Sequence, residues 1–189
     1  MGPFSRIFKR DPAVERAQRL YRGIVEQARR REFYAMLGVP DSLDGRFEMV
    51  ALHVFLILHR LKQAGPQGDA ALLGQALCDA MFADMDASLR EMGAGDLGVA
   101  GRVKQMASGF MGRLAAYSDG LAAGPAALIQ ALRRNVYGTT EVDYLAIEMM
   151  SGYVTRSTEI LAGQSIESIG AGKPEFAPLT TNLGPTAMH

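Results

Sequence analysis

Residues 49–58, MVALHVFLIL, are apolar at every position except His53. A helix that is apolar all round has no solvent side, so it either forms the centre of a core or spans a membrane. Ten residues rise only about 15 Å, roughly half the hydrocarbon thickness of a bilayer. The stretch therefore reads as a central core helix, and the rest of the chain must supply the layers that cover it.

The start of that helix is written just upstream. Asp44 is placed to cap, Gly45 permits a sharp turn into the helix, and Glu48 falls where the helix dipole favours negative charge. The expected span is about residues 44–63. On its N-terminal side, Asp11-Pro12 pairs an N-cap with proline at the first helical position, and a helix is expected from there to about Phe33. Leu20, Ile24, Val25 and Ala28 supply its apolar stripe, and Gly38-Val39-Pro40 ends the segment.

Beyond the turn at residues 65–68, Leu73, Leu77, Met81, Met85 and Leu89 recur every four residues, which predicts an amphipathic helix over residues 69–92. Asp79 and Asp86 lie opposite this stripe, Asp84 and Glu91 lie at its edge, and Arg90 is one turn beyond Asp86, in reach of an ion pair. Gly93-Ala94-Gly95 stops the helix and Asp96 is placed to cap the next. There, Val99, Val103, Met106, Phe110, Leu114, Tyr117 and Leu121 keep helical spacing. Gly109 and Gly112 weaken that helix unless another backbone packs closely against them. Gly124-Pro125 opens a shorter helix to about Tyr137, and Thr139 or Thr140 opens another to about Ala162. With no strand alternation, the expected fold is all-α: a single-domain bundle of six or seven helices around the central hydrophobic one. The expected organisation is a basic amphipathic arm over residues 1–10, a helical domain over 11–162 and an irregular tail over 163–189.

Net charge is zero, yet residues 1–32 hold nine basic side chains against four acidic ones, leaving them +5 and the remainder −5. In the opening segment Phe4, Ile7 and Phe8 interleave with Arg6, Lys9 and Arg10. A basic arm on an acidic body suits an anionic contact, either a membrane surface or RNA, and also suits a plain solvated face. Cys78 is the only cysteine, which rules out an intramolecular disulfide and fits a reducing compartment. No run of about 18 apolar residues occurs, so no membrane span is expected. The first residues lack the apolar core of a secretory signal, and Asp11, Glu15 and Glu26 argue against a transit peptide. A bacterial cytoplasm is the expected location.

Catalytic and ligand motifs fail on their context. Residues 93–98, GAGDLG, match G-x-G-x-x-G, but the dinucleotide fingerprint follows a strand, whereas a long helix precedes this one. Asp79, Asp84 and Asp86 point to several sides of a helix rather than around a calcium loop. His53 and His59 are about 240° apart on their helix and share no ligand face. Cys78 sits on an apolar arc, where an inert thiol is the default. No serine lies in a nucleophile elbow. No catalytic, cofactor-binding or metal residues are therefore expected. The eleven methionines suit core filling. Met81, Phe82 and Met85 would also suit an adaptable apolar surface if their helix is not wholly covered.

Three ordered blocks resemble the ubiquinol-cytochrome c chaperone family: LYRGIVEQARRREFYAMLGVPDSLDGRFEMVALH, then MFADMDASLREMGAGDLGVAGRVKQM, then FMGRLAAY. The resemblance implies a non-enzymatic assembly chaperone, of a bacterial kind, that holds newly made cytochrome b for the ubiquinol-cytochrome c reductase (bc1) complex. It also implies contact with a small partner protein or the ribosome and none with DNA. For such a protein the basic residues 1–32 would give peripheral contact with anionic membrane at the inner face of the inner membrane, or the matrix side in a mitochondrion. The expected partner-binding residues are Asp79, Met81, Phe82, Asp84, Met85, Asp86, Arg90 and Glu91. Asp44, Gly45, Arg46, Phe47, Gly93, Gly95, Asp96 and Leu97 match the motifs and are expected to be structural. The alternative reading is a helical lipid- or small-molecule-binding protein or enzyme with a pocket between helices.

Overall fold

The structure, a computed structural model, describes residues 12–91 and 96–179, with 96–100 and 102–105 described by backbone alone. The elements are α1 (Pro12–Ala28), α2 (Arg31–Ala35), α3 (Leu43–Gln63), α4 (Asp69–Glu91), α5 (Asp96–Ala123), α6 (Pro125–Asn135), α7 (Tyr144–Ala162) and α8 (Ile166–Gly170). Six of these are long helices and two, α2 and α8, have five residues each. Among the described residues there is no strand, and the fold is the all-α bundle that the apolar periodicity predicts.

Helix α3 occupies the centre. Residues 51–57 are all buried, and α1, α4, α5 and α7 pack around them. The cap differs from the expected one. Ser42, not Asp44, caps α3, its side chain accepting a hydrogen bond from the Gly45 N–H at 3.1 Å. Asp44 instead stands in the first turn, where its charge meets the positive end of the helix dipole. Gly45 is required for close approach: a Cβ there would overlap the carbonyl oxygen of Pro40.

The single helix expected over residues 12–33 is two helices. Continued unbroken, it would carry Phe33 about 180° from Ile24, on the solvent side. The chain breaks at Arg29 and Arg30, which brings Phe33 into the core with no exposure. The Tyr34 hydroxyl secures the corner by donating to the Ala28 carbonyl at 3.0 Å.

The glycines of α5 also differ from expectation. Gly120 is the one against which another helix backbone packs, with the Leu128 Cα of α6 only 2.9 Å from where a Cβ would stand. Gly112 faces open space and Gly109 faces the Arg113 side chain. The last helix before the tail starts later than Thr139 or Thr140, with Asp143 accepting from the Leu145 N–H at 3.2 Å.

Residues 1–11, including the basic arm, and residues 180–189 lie outside the described residues. Within the stretch expected to be irregular, Ser165 caps the short helix α8, and Ile169 and Ala177 are buried. The Ala177 N–H donates to the Ser157 hydroxyl at 3.1 Å, which ties this stretch to α7.

His53 is wholly buried in the middle of α3. Its Nδ1 lies 2.7 Å from the Met49 carbonyl, which can only accept, so Nδ1 carries the proton. Nε2 is then the acceptor for the Tyr153 hydroxyl of α7 at 2.7 Å, and Tyr153 in turn accepts from Gln27 of α1 at 3.1 Å. The rings of Phe33 and Phe176 meet the imidazole edge-on at 5.3 and 5.0 Å. Burial drives the imidazole pKa down to about 4 from the ordinary 6.5, with the Met49 hydrogen bond opposing the shift. The unfolded chain therefore takes up a proton that the folded chain refuses. Stability is expected to decline as pH falls from 6.5 towards 4. The loss attributable to this residue should reach roughly 3 kcal/mol. Urea unfolding of the wild type and His53→Gln across that range checks this, because the variant should lack that part of the acid sensitivity.

Candidate functional site

The two most distinctive stretches of sequence meet in space. Gly45 seats the first turn of α3 against Pro40, and that turn then faces the C-terminal half of α4. Between them lies a cleft of about 770 Å³, closed on its other sides by α5, by the end of α6 and by residues 136–139. Its apolar lining includes Phe47 and Val50 from α3, Met81 and Met85 from α4, and Met106 from α5.

A buried ion pair holds the cleft together. Glu48 on α3 is 6% exposed, a position where an unpaired carboxylate would be costly. Arg113 on α5 meets it in a two-pronged contact, Nε to one oxygen at 2.6 Å and Nη2 to the other. Burial pushes the Glu48 carboxyl above its usual range, and the guanidinium draws it back. Arg113 also stacks over the Phe47 ring, 5.4 Å from its centroid. Gly109 makes room for this arrangement: a Cβ there would stand 2.8 Å from Arg113 Nη1. At the α1 side, the Tyr21 hydroxyl donates to Asp84 at 2.9 Å, and burial, followed by the Asp84 charge, raises its pKa. At the α6 side stand Arg134 and Asn135.

Of the residues expected from sequence, Asp44, Gly45, Arg46 and Phe47 line this cleft together with Met81, Asp84 and Met85. The others do not join them. Phe82 turns to α5 and meets Phe110 edge-on at 6.0 Å. Asp86 pairs with Arg90 at 2.7 Å, and Asp79 accepts from Gln75 at 3.0 Å on an exposed face. Glu91 is exposed at the end of α4. Gly93 and Gly95 lie outside the described residues, whereas Asp96 and Leu97 open α5. Arg46 is exposed and bonds Asp41 at 2.7 Å. Helix α4 is thus divided: Met81 and Met85 are buried towards the cleft, and the acidic face looks outward.

Arg113, Tyr21, Arg134 and Asn135 escaped the sequence reading. One signal was present. Arg113 lies only about 40° from Tyr117 on the helical wheel, inside the apolar arc of α5, and Glu48 adjoins the most apolar stretch of the chain. An acid and a base, each displaced onto a buried face, call for each other.

The family model of the ubiquinol-cytochrome C chaperone matches residues 35–176, three quarters of the chain and every long helix except α1. The chain belongs to the ubiquinol-cytochrome c chaperone family. Members similar to it include the ubiquinol-cytochrome-c reductase complex assembly factor 1 of Xenopus laevis, 26% identical over 145 residues that cover 77% of this chain and 72% of that protein. The mouse protein of that name is 25% identical over 86% of this chain, and mitochondrial protein CBP3 of Saccharomyces cerevisiae is 26% identical over 77%. The chain spans only 55% of the mouse relative and 44% of the yeast one. The crystal structure of the Cbp3 homolog from Brucella abortus superposes with a TM-score of 0.78 at 39% identity, covering 88% of this chain and 92% of that one. Helices α3 to α7, with the α3–α6 walls of the cleft, thus fall within the family region, whereas Tyr21 and Arg29 precede it.

In this family member, Arg113→Met should lower stability by about 3 kcal/mol, because it leaves Glu48 buried without its counter-ion. Glu48→Gln should cost less, since Arg113 keeps partial access to water. The double replacement Glu48→Leu, Arg113→Met should recover most of the loss. Urea unfolding midpoints of the three variants test whether this pair carries the α3–α5 contact.

Proposed function

We propose that this chain is a non-enzymatic chaperone in the assembly of the ubiquinol-cytochrome c reductase (bc1) complex, and that its client is newly made cytochrome b. The observation that carries the reading is the family match over residues 35–176, together with the shared architecture of the Brucella homolog. No described helix is long and apolar enough to cross a membrane. Attachment at the inner face of the inner membrane would therefore be peripheral, through the basic residues 1–32. A small partner protein or the ribosome completes the proposed set of contacts.

The outward face of α4 is the proposed client surface, with Asp79, Asp86, Arg90 and Glu91 setting orientation and the partly buried Phe82 at its margin. Charged rims steer and orient an encounter, and apolar anchors supply most of the affinity. Met81 and Met85 are withdrawn from this face by burial. Asp84 is bound to Tyr21, so reversing its charge would disturb the fold as well as the surface.

Cells lacking the protein should contain less cytochrome b and less assembled complex at unchanged transcript level. Restoring Asp79→Lys, Asp86→Lys in place of the wild type should leave complex levels low, even though the variant accumulates normally and keeps its helix content. An unchanged complex in the deletion strain would overturn the client assignment. Full rescue by the double variant would overturn only the surface.

A further inference from the structure

The cleft behind α4 has the makings of a ligand site, and the client reading does not use it. Its volume, about 770 Å³, falls in the range of pockets that enclose small molecules. Met81, Met85 and Met106 give it a polarizable wall that can adapt to a flexible chain. The charges around it are mostly satisfied from within. Arg113 neutralises Glu48, Tyr21 bonds Asp84, and Arg46 bonds Asp41. Asp44 stands at the favourable end of the α3 dipole.

Arg134 is different. Like Arg29 at the α1 end, it lines the cleft, is exposed, and makes no ion pair with any described carboxylate. Next to it, Asn135 uses one amide hydrogen on the Ala131 carbonyl at 3.0 Å, which leaves a second donor. The α6 end of the cleft thus presents a guanidinium and an amide donor to an anion, while its α4 wall is apolar.

We propose that this cleft binds a single-chain acidic lipid, its carboxylate or phosphate head at Arg134 and Asn135 and its hydrocarbon chain along Met81 and Met85. A carboxylate and a phosphate monoester share this chemistry, as oxygen acceptors with negative charge on a guanidinium.

The test is calorimetric titration of the delipidated full-length protein with oleate, with oleoyl lysophosphatidate and with uncharged oleyl alcohol. Saturable one-to-one binding of at least one acid, well above that of the alcohol, is expected, and the tighter of the two identifies the head group. Arg134→Gln should weaken acid binding by about tenfold without altering what the alcohol does. Met85→Trp should block the chain and abolish binding, and Asp79→Lys, Asp86→Lys on the opposite face should leave it intact. Absence of saturable binding by either acid would overturn the proposal, as would equal binding of the alcohol or indifference to Arg134→Gln. None of these outcomes bears on client capture, which the outward face of α4 tests separately.

Discussion

Burial of the middle of α3, from Glu48 to Ile57, is the constraint on which this structure depends. A helix covered on every side cannot send its polar groups to water, so each of them must be answered by a neighbouring helix. Two are present. His53 is answered by Tyr153 on α7 and, through it, by Gln27 on α1. Glu48 is answered by Arg113 on α5. These contacts fix how three of the surrounding helices sit against the centre. An unpaired buried charge or hydrogen-bonding group costs more than a well-made pair returns, so the contacts act mainly by excluding other arrangements.

The cleft follows from the same constraint. Helix α3 is wholly buried from Ala51 to Ile57, whereas its first turn emerges between α4 and α5. There the covering helices are held apart by polar side chains: Arg113 reaching to Glu48, and Tyr21 reaching to Asp84. A gap held open by hydrogen bonds and lined with methionine differs from a packing fault, which would be apolar and would collapse. Helix α4 becomes two-faced as a result, with its methionine side turned to the cleft and its acidic side to solvent. A chaperone built this way has two chemically distinct surfaces on one helix, and each can be altered without touching the other.

Much of the bundle was legible from spacing alone. The four-residue recurrence of Leu73, Leu77, Met81, Met85 and Leu89 fixed the buried face of α4, and all five are buried. Apolar character on every side marked α3 as central. Local rules were less secure where two of them competed. Asp44 and Ser42 both suit a helix cap, and Ser42 takes the position because Pro40 and Gly45 must close against each other. The break between α1 and α2 was hidden because the three arginines at 29–31 are good helix formers. Only the phase of Phe33 against Ile24 betrayed it.

The sequence by itself determined which residues leave water, the number of long helices and the central place of α3, because helical periodicity is a local property that each segment carries alone. It also carried the family, through ordered blocks that extend over most of the chain. Tertiary structure alone decided that Asp44–Phe47 share a cleft with Met81, Asp84 and Met85, and that Arg113 rather than any nearer base neutralises Glu48. Those pairings join residues that are tens of positions apart. Which helix supplies a missing charge depends on how the helices cross, and periodicity within one helix carries no record of that.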